Sequence, residues 1–133
     1  MEGKHSLLAE PITRYQRQEG DEEMDIEYKM VRNTLVVRAK GELDMLIADE
    51  MRQEIDRRLE EKGIKNLIFN LEKVTFIDSS GLGVIIGRYK KITSANGRMF
   101  IVGAKNPVEK ILHFSGINRL VPMYSSEQDI INL

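Results

Sequence analysis

Residues 74–91 read VTFIDSSGLGVIIGRYKK, and the fold turns on that stretch. Val74 to Ile77 are apolar or β-branched, the composition of a buried strand, which ends in an acid and two hydroxyls. A helix then opens with glycines at 81, 83 and 87 and an apolar stripe of Leu82, Ile85, Ile86, Tyr89 and Ile92. A strand that feeds straight into a helix is the half-unit of a parallel α/β sheet. Ser79 and Ser80 then lie at a helix N-terminus on the carboxyl edge of the sheet. Unpaired backbone N–H groups and the positive end of the helix dipole meet there, so a phosphate is well tolerated. The glycines remove side chains that would keep a partner's backbone at a distance. The same residues also suit an ordinary capped helix packed closely on a sheet.

Outward from this stretch the periodicities alternate. Residues 26–30 and 34–39 have strand character and join at Arg32-Asn33, which predicts a hairpin. Residues 46–61 place Ile47, Met51, Ile55 and Leu59 at steps of four, with Glu54 and Arg58 paired on the outer face and Gly63 as the stop. Residues 66–71 are a short apolar strand; Asn96-Gly97 ends the central helix, and 98–102 form another strand. Asn106 reads as the cap, and Pro107 as the first residue, of a helix running to about Phe114 and stopped by Gly116. Residues 120–123 suit a last strand, and Ser125 with Gln128 resembles a capping box for a C-terminal helix. The order ββαβαβαβα predicts one α/β domain: a mostly parallel sheet, a leading hairpin and about four helices.

Composition narrows the chemistry. The 133 residues are 41% hydrophobic and 31% charged, enough for a real core in one domain. Twenty Lys and Arg against 21 Asp and Glu leave a net charge of -1, which gives no purchase on nucleic acid through bulk electrostatics. The absence of cysteine removes disulfides, zinc–thiolate sites and thiol nucleophiles, and two histidines are too few for a His-rich metal site. No apolar run is long enough to span a bilayer and no secretory signal is visible, so a cytoplasmic protein without membrane contact is expected. Residues 1–23 carry six acids and three bases against fifteen and seventeen in 24–133. They read as a flexible tail or an extended start, with Leu7, Leu8 and Ile12 as a short amphipathic turn, and the domain is expected over 24–133.

Enzyme readings fare poorly. A dinucleotide site would need an acid about twenty residues beyond the glycines, where Phe100-Ile101-Val102-Gly103-Ala104 stands instead. Neither a P-loop nor a GxSxG elbow is present. Ser79 and His113 pair only on paper, because Ile111, Leu112 and Phe114 suggest a packed helix end around the histidine. A phospho-aspartate receiver is the stronger rival, with Asp78 as acceptor, Glu42 and Asp44 as further acids and Lys105 after a later strand. The leading hairpin breaks the alternation a receiver needs, and Asp44 reads more simply as the cap of the helix at 46.

Gly41-Glu42-Leu43-Asp44, Asn70-Leu71 and the run from Phe76 to Lys90 resemble the STAS-domain anti-sigma factor antagonists, over residues 24 to about 133. The resemblance implies a STAS-type fold and a non-enzymatic switch with no cofactor. The unmodified form would bind an anti-sigma factor that is also a serine kinase with bound adenine nucleotide, and the sigma factor would be released. That kinase would phosphorylate Ser79, and a serine phosphatase would restore it. Asp44 matches a position that touches the kinase, and Asp78, Ser80, Gly81 and Gly83 would complete the docking surface. The alternatives are the receiver and a structural STAS module whose serine is never modified.

Overall fold

The computed structural model describes residues 12–16, 23–61 and 63–131. Six strands form one sheet in sequence order: β1 (Ile12–Gln16), β2 (Glu23–Val31), β3 (Thr34–Leu43), β4 (Asn66–Ile77), β5 (Met99–Val102) and β6 (Met123–Tyr124). The first three pair antiparallel and the last four run parallel, a mixed sheet that opens on a hairpin. The helices are α1 (Met45–Leu59), α2 (Ser79–Ser94), α3 (Val108–Ser115), α4 (Ile117–Leu120) and α5 (Glu127–Ile131). Each parallel step crosses to the next strand in order. Crossovers of one hand therefore stack α1, α2 and α3 on a single face.

Alternation along the strands separates the two faces. Leu35, Val37 and Ala39 of β3, Leu67, Phe69 and Leu71 of β4, and Met99 and Ile101 of β5 join Ile47, Met51, Ile55 and Ile85 in the main core. The intervening Val36, Ile68, Phe100 and Val102 form a second apolar layer on the opposite face, closed by Tyr124 and Ile130. On that face α5 is latched down. Arg38 donates from Nε and Nη2 to both Glu127 oxygens, at 2.8 and 2.7 Å, and the Asn70 amide adds a bond of 2.6 Å.

Several elements differ from the expectation. Within 1–23, residues 12–16 are a strand paired with β2, so part of the expected tail adds to the sheet; residues 1–11 and 17–22 lie outside the described residues. The strand expected at 66–71 and the one before Asp78 are a single strand of 12 residues. The exposed Glu72-Lys73 interruption sits where β3 and β4 change register, a bulge that local periodicity reads as an end. Asn106 does not cap α3: Glu109 N already donates to the Lys105 carbonyl at 2.9 Å, and Pro107 takes the cap position. The strand expected at 120–123 begins at Met123, because the chain re-enters helix after Gly116 and Val121 N donates back to the Ile117 carbonyl. His113 is exposed, not packed; Val108 and Leu112 carry the contacts of α3, and Phe114 is 91% exposed. Arg58 is not on an outer face either. It is buried over the Tyr28 ring, 4.7 Å from its centroid, while still paired with Glu54.

The latch on α5 gives a pH test. Hydrogen bonding to Arg38 holds the Glu127 carboxyl below its ordinary value of 4.5, against burial, with Asn70 adding to the effect. A lowered folded-state pKa contributes stability that is present above the ordinary value and lost as pH falls through the lowered one. Glu127→Gln is expected to lower the thermal midpoint clearly at pH 7 and much less at pH 3, read by circular dichroism.

Candidate functional site

Two neighbouring parallel strands end in two aspartates. β3 closes at Leu43 and β4 at Ile77, which are register partners, so Asp44 and Asp78 leave the sheet side by side. Each caps the helix that follows. Asp44 Oδ1 accepts from Leu46 N at 3.0 Å, opening α1. Asp78 Oδ1 accepts from Ser80 N at 2.8 Å and Gly81 N at 3.1 Å, opening α2. Its second oxygen reaches across to accept from Met45 N at 3.1 Å, and its own N–H donates to the Leu43 carbonyl at 3.1 Å. One carboxylate thus ties the two helix starts together.

Ser79 is the first residue of α2 and is exposed, and its hydroxyl makes no hydrogen bond among the described residues. Ser80, half-buried, turns toward α1. The first turn of α1 beside them exposes apolar groups where water is usually faced by polar ones: Met45 is 70% exposed and Leu46 53%; Phe76, near the end of β4, is 42% exposed. Large exposed apolar side chains gathered at one place mark a surface made for a partner.

The glycines divide into two kinds. A Cβ on Gly81 would stand 2.6 Å from the Leu43 carbonyl oxygen and 2.9 Å from Ile77 Cγ2, so this buried glycine lets α2 seat on the strand ends. That corrects its expected place on the docking surface. Gly83 is exposed with nothing within 4 Å of a Cβ built there, and the Gly87 position is equally open. Neither is needed for helix–sheet packing.

The seating of Gly81 also turns α2. Its buried line is Gly81, Val84, Ile85, Arg88 and Ile92, with Leu82, Ile86 and Tyr89 only partly covered. Arg88 is the residue that sequence reasoning missed. It is 9% exposed and faces Asp56 of α1, Nε to Oδ1 at 3.0 Å, and burial pulls its pKa down. An arginine next to a tyrosine in a helix reads as outward-facing; only the Gly81 contact, a long-range fact, turns it inward.

The rival chemistries are not assembled. Both oxygens of Asp78 are occupied by backbone N–H donors, which leaves it poorly placed as a phosphoryl acceptor. No group of three or more acidic or histidine side chains able to hold a metal occurs among the described residues. His113 sits in the last turn of α3, which leads away from the carboxyl edge. No helix among the described residues is long and apolar enough to cross a membrane.

Replacement of the two glycines separates their roles. Gly81→Ala is expected to destabilise by about 1–3 kcal/mol, the usual cost of overpacking. Gly83→Ala is expected to be neutral or to gain up to about 1 kcal/mol from helix propensity. Urea unfolding of both variants checks the pair.

Comparison with known proteins agrees with this geometry. The STAS domain family model matches residues 25–130. The chain is 36% identical over 104 residues to an anti-sigma F factor antagonist of Paenibacillus polymyxa, covering 78% of this chain and 89% of that one. It is 32% identical over 108 residues to the anti-sigma F factor antagonist of Lysinibacillus sphaericus, covering 80% and 92%. Among solved structures it is similar to the anti-sigma factor antagonist SpoIIAA in its unphosphorylated form, with TM-score 0.73, 30% identity and coverage of 80% and 93%. The phosphorylated form of the Bacillus cell fate determinant SpoIIAA superposes with TM-score 0.67 at 29% identity, covering 80% and 96%. With this fold, these paired caps and these relatives, the chain belongs to the STAS-domain family that includes the anti-sigma factor antagonists.

Proposed function

We propose that the chain is an anti-sigma factor antagonist that docks through the carboxyl-edge surface around Ser79 and is switched off by phosphorylation of that serine. The exposed Ser79 hydroxyl at the start of α2, unbonded among the described residues, on an edge that also exposes Met45 and Leu46, carries the reading. As a neutral hydroxyl it rests against a partner at little cost. A phosphate there adds nearly two negative charges, which the α2 dipole tolerates but an interface must strip of water or pair. It also stands beside the Asp78 carboxylate, so the local field turns strongly negative without any change of fold. In this reading the anti-sigma factor is the kinase, with ATP as phosphoryl donor, and a serine phosphatase reverses the step. Asp44, Asp78 and Ser80 hold the surface in shape, and Gly83 leaves room for the partner's backbone. That relatives are known in unphosphorylated and phosphorylated forms supports the reading.

Incubation with the anti-sigma factor of the same genome and ATP, followed by mass spectrometry, tests the acceptor. Wild type and Ser80→Ala should gain one phosphate and Ser79→Ala none, while Ser79→Ala still binds within about twofold of wild type. Ser79→Asp should bind roughly tenfold or more weakly, about 1.4 kcal/mol per factor of ten. Labelling of Ser79→Ala would move the acceptor to another residue, and a wild type that is never labelled would leave a STAS module without the switch.

Gly83→Leu tests the surface itself. It should fold with a thermal midpoint at or above that of wild type, since a Cβ there meets nothing within 4 Å, yet lose at least about tenfold in affinity for the anti-sigma factor by calorimetry. Undiminished binding would place the docking face elsewhere.

A further inference from the structure

Behind Ser80 a groove runs between α1 and α2, lined by Met45, Ala48 and Arg52 on one side and Ser80, Gly83 and Arg88 on the other. Arg52 and Arg88 of its lining belong to an unbalanced set of charges that continues along the two helices beyond the groove. The single carboxylate of Asp56 faces three cations: Arg88 Nε at 3.0 Å, Lys91 Nζ at 3.5 Å and Arg52 Nη1 at 3.9 Å. Asp49, the acid in the groove lining, is engaged by Arg52 at 2.5 Å and by the Gln53 amide at 2.9 Å. Three cations against two carboxylates leave one positive charge over, with Arg88 and Asp56 largely shielded and the others open to water. Arg88 carries the imbalance most sharply: it is 9% exposed, its Nε is held by Asp56, and its Nη1 makes no hydrogen bond among the described residues. A largely buried guanidinium with one donor unpaired is a place where an incoming anion is worth more than it would be at the open surface.

We infer that this groove receives a carboxylate side chain of the anti-sigma factor, paired by Arg52 and Arg88 while the partner's backbone crosses over Gly83. The inference rests on the docking reading given under Proposed function and names the chemistry of its partner. The missing side chain at Gly83 gives the approaching chain access to the cations. Exposed Met45, at the α1 edge of the groove, supplies apolar cover for the pair once the partner is seated. The placement also makes the switch sharper. An acid held in the groove lies next to the start of α2, where the phosphate on Ser79 repels it; attraction by the arginines and repulsion by the phosphate then act on one group.

Calorimetric titration of the full chain with the anti-sigma factor, at low and high salt, tests the pairing. Arg52 is 43% exposed at its side chain, so Arg52→Gln should keep its thermal midpoint. It should bind about five- to tenfold more weakly and show a shallower salt dependence, while Arg52→Lys stays within about twofold of wild type. Arg88→Gln should weaken binding at least as much, and Lys90→Gln, exposed outside the groove, should change nothing. If both arginine variants fold and bind like wild type, the groove takes no acid and the inference falls, while docking around Ser79 stands. If wild type itself fails to bind, the docking reading and this inference fall together.

Discussion

The Asp78 carboxylate holds the working end of the molecule together. It stands where a 12-residue strand gives way to a 16-residue helix, and its two oxygens accept three backbone N–H groups from two helices. Two of those donors belong to its own helix and satisfy groups that no intrahelical carbonyl can reach. The third, from Met45, belongs to α1. That bond joins the two helix starts directly, in addition to the Gly81 seat at Leu43 and the Arg88–Asp56 pair between the helices. With it, Ser79 is presented at a defined point between two caps.

Close packing completes what the carboxylate begins. Gly81 brings α2 down onto the Leu43 carbonyl, and the helix is thereby rotated so that Arg88 enters the interface with α1. The charges around Asp56 are thus a result of the same contact that positions the serine. Sequence pattern, helix rotation and surface electrostatics form one chain of cause, with a missing methyl group at its head.

Much of this was legible from residues alone. The hairpin at Arg32-Asn33, the helix read from 46, the strand-to-helix passage at Asp78 and the stop at Gly116 follow from propensity, capping and turn chemistry, which act within a few residues. What escaped was decided at long range. The β4 bulge is visible only against β3, and the brief helix α4 depends on how the chain leaves Gly116. Arg58 and Arg88 each look like surface residues until Tyr28 and Asp56 are brought to them from other elements. Of the candidate surface, Asp44, Asp78 and Ser79 stand where local rules put them, whereas the difference between Gly81 and Gly83 could not be read from identical residues two positions apart.

The glycines carry a further consequence for motion. Three of the first nine residues of α2 are glycine, each costing about 1 kcal/mol of helix propensity relative to alanine. The opening turns of this helix are therefore intrinsically the part most ready to fray, and the Asp78 cap and the seat at Leu43 are what oppose it. A negative charge added at the first residue would strengthen the same end through the dipole. Under the proposed switch, phosphorylation of Ser79 would then quieten local opening at the start of α2, so the phosphorylated form would be the stiffer of the two, and slower amide exchange at Leu82 and Gly83 would be its signature.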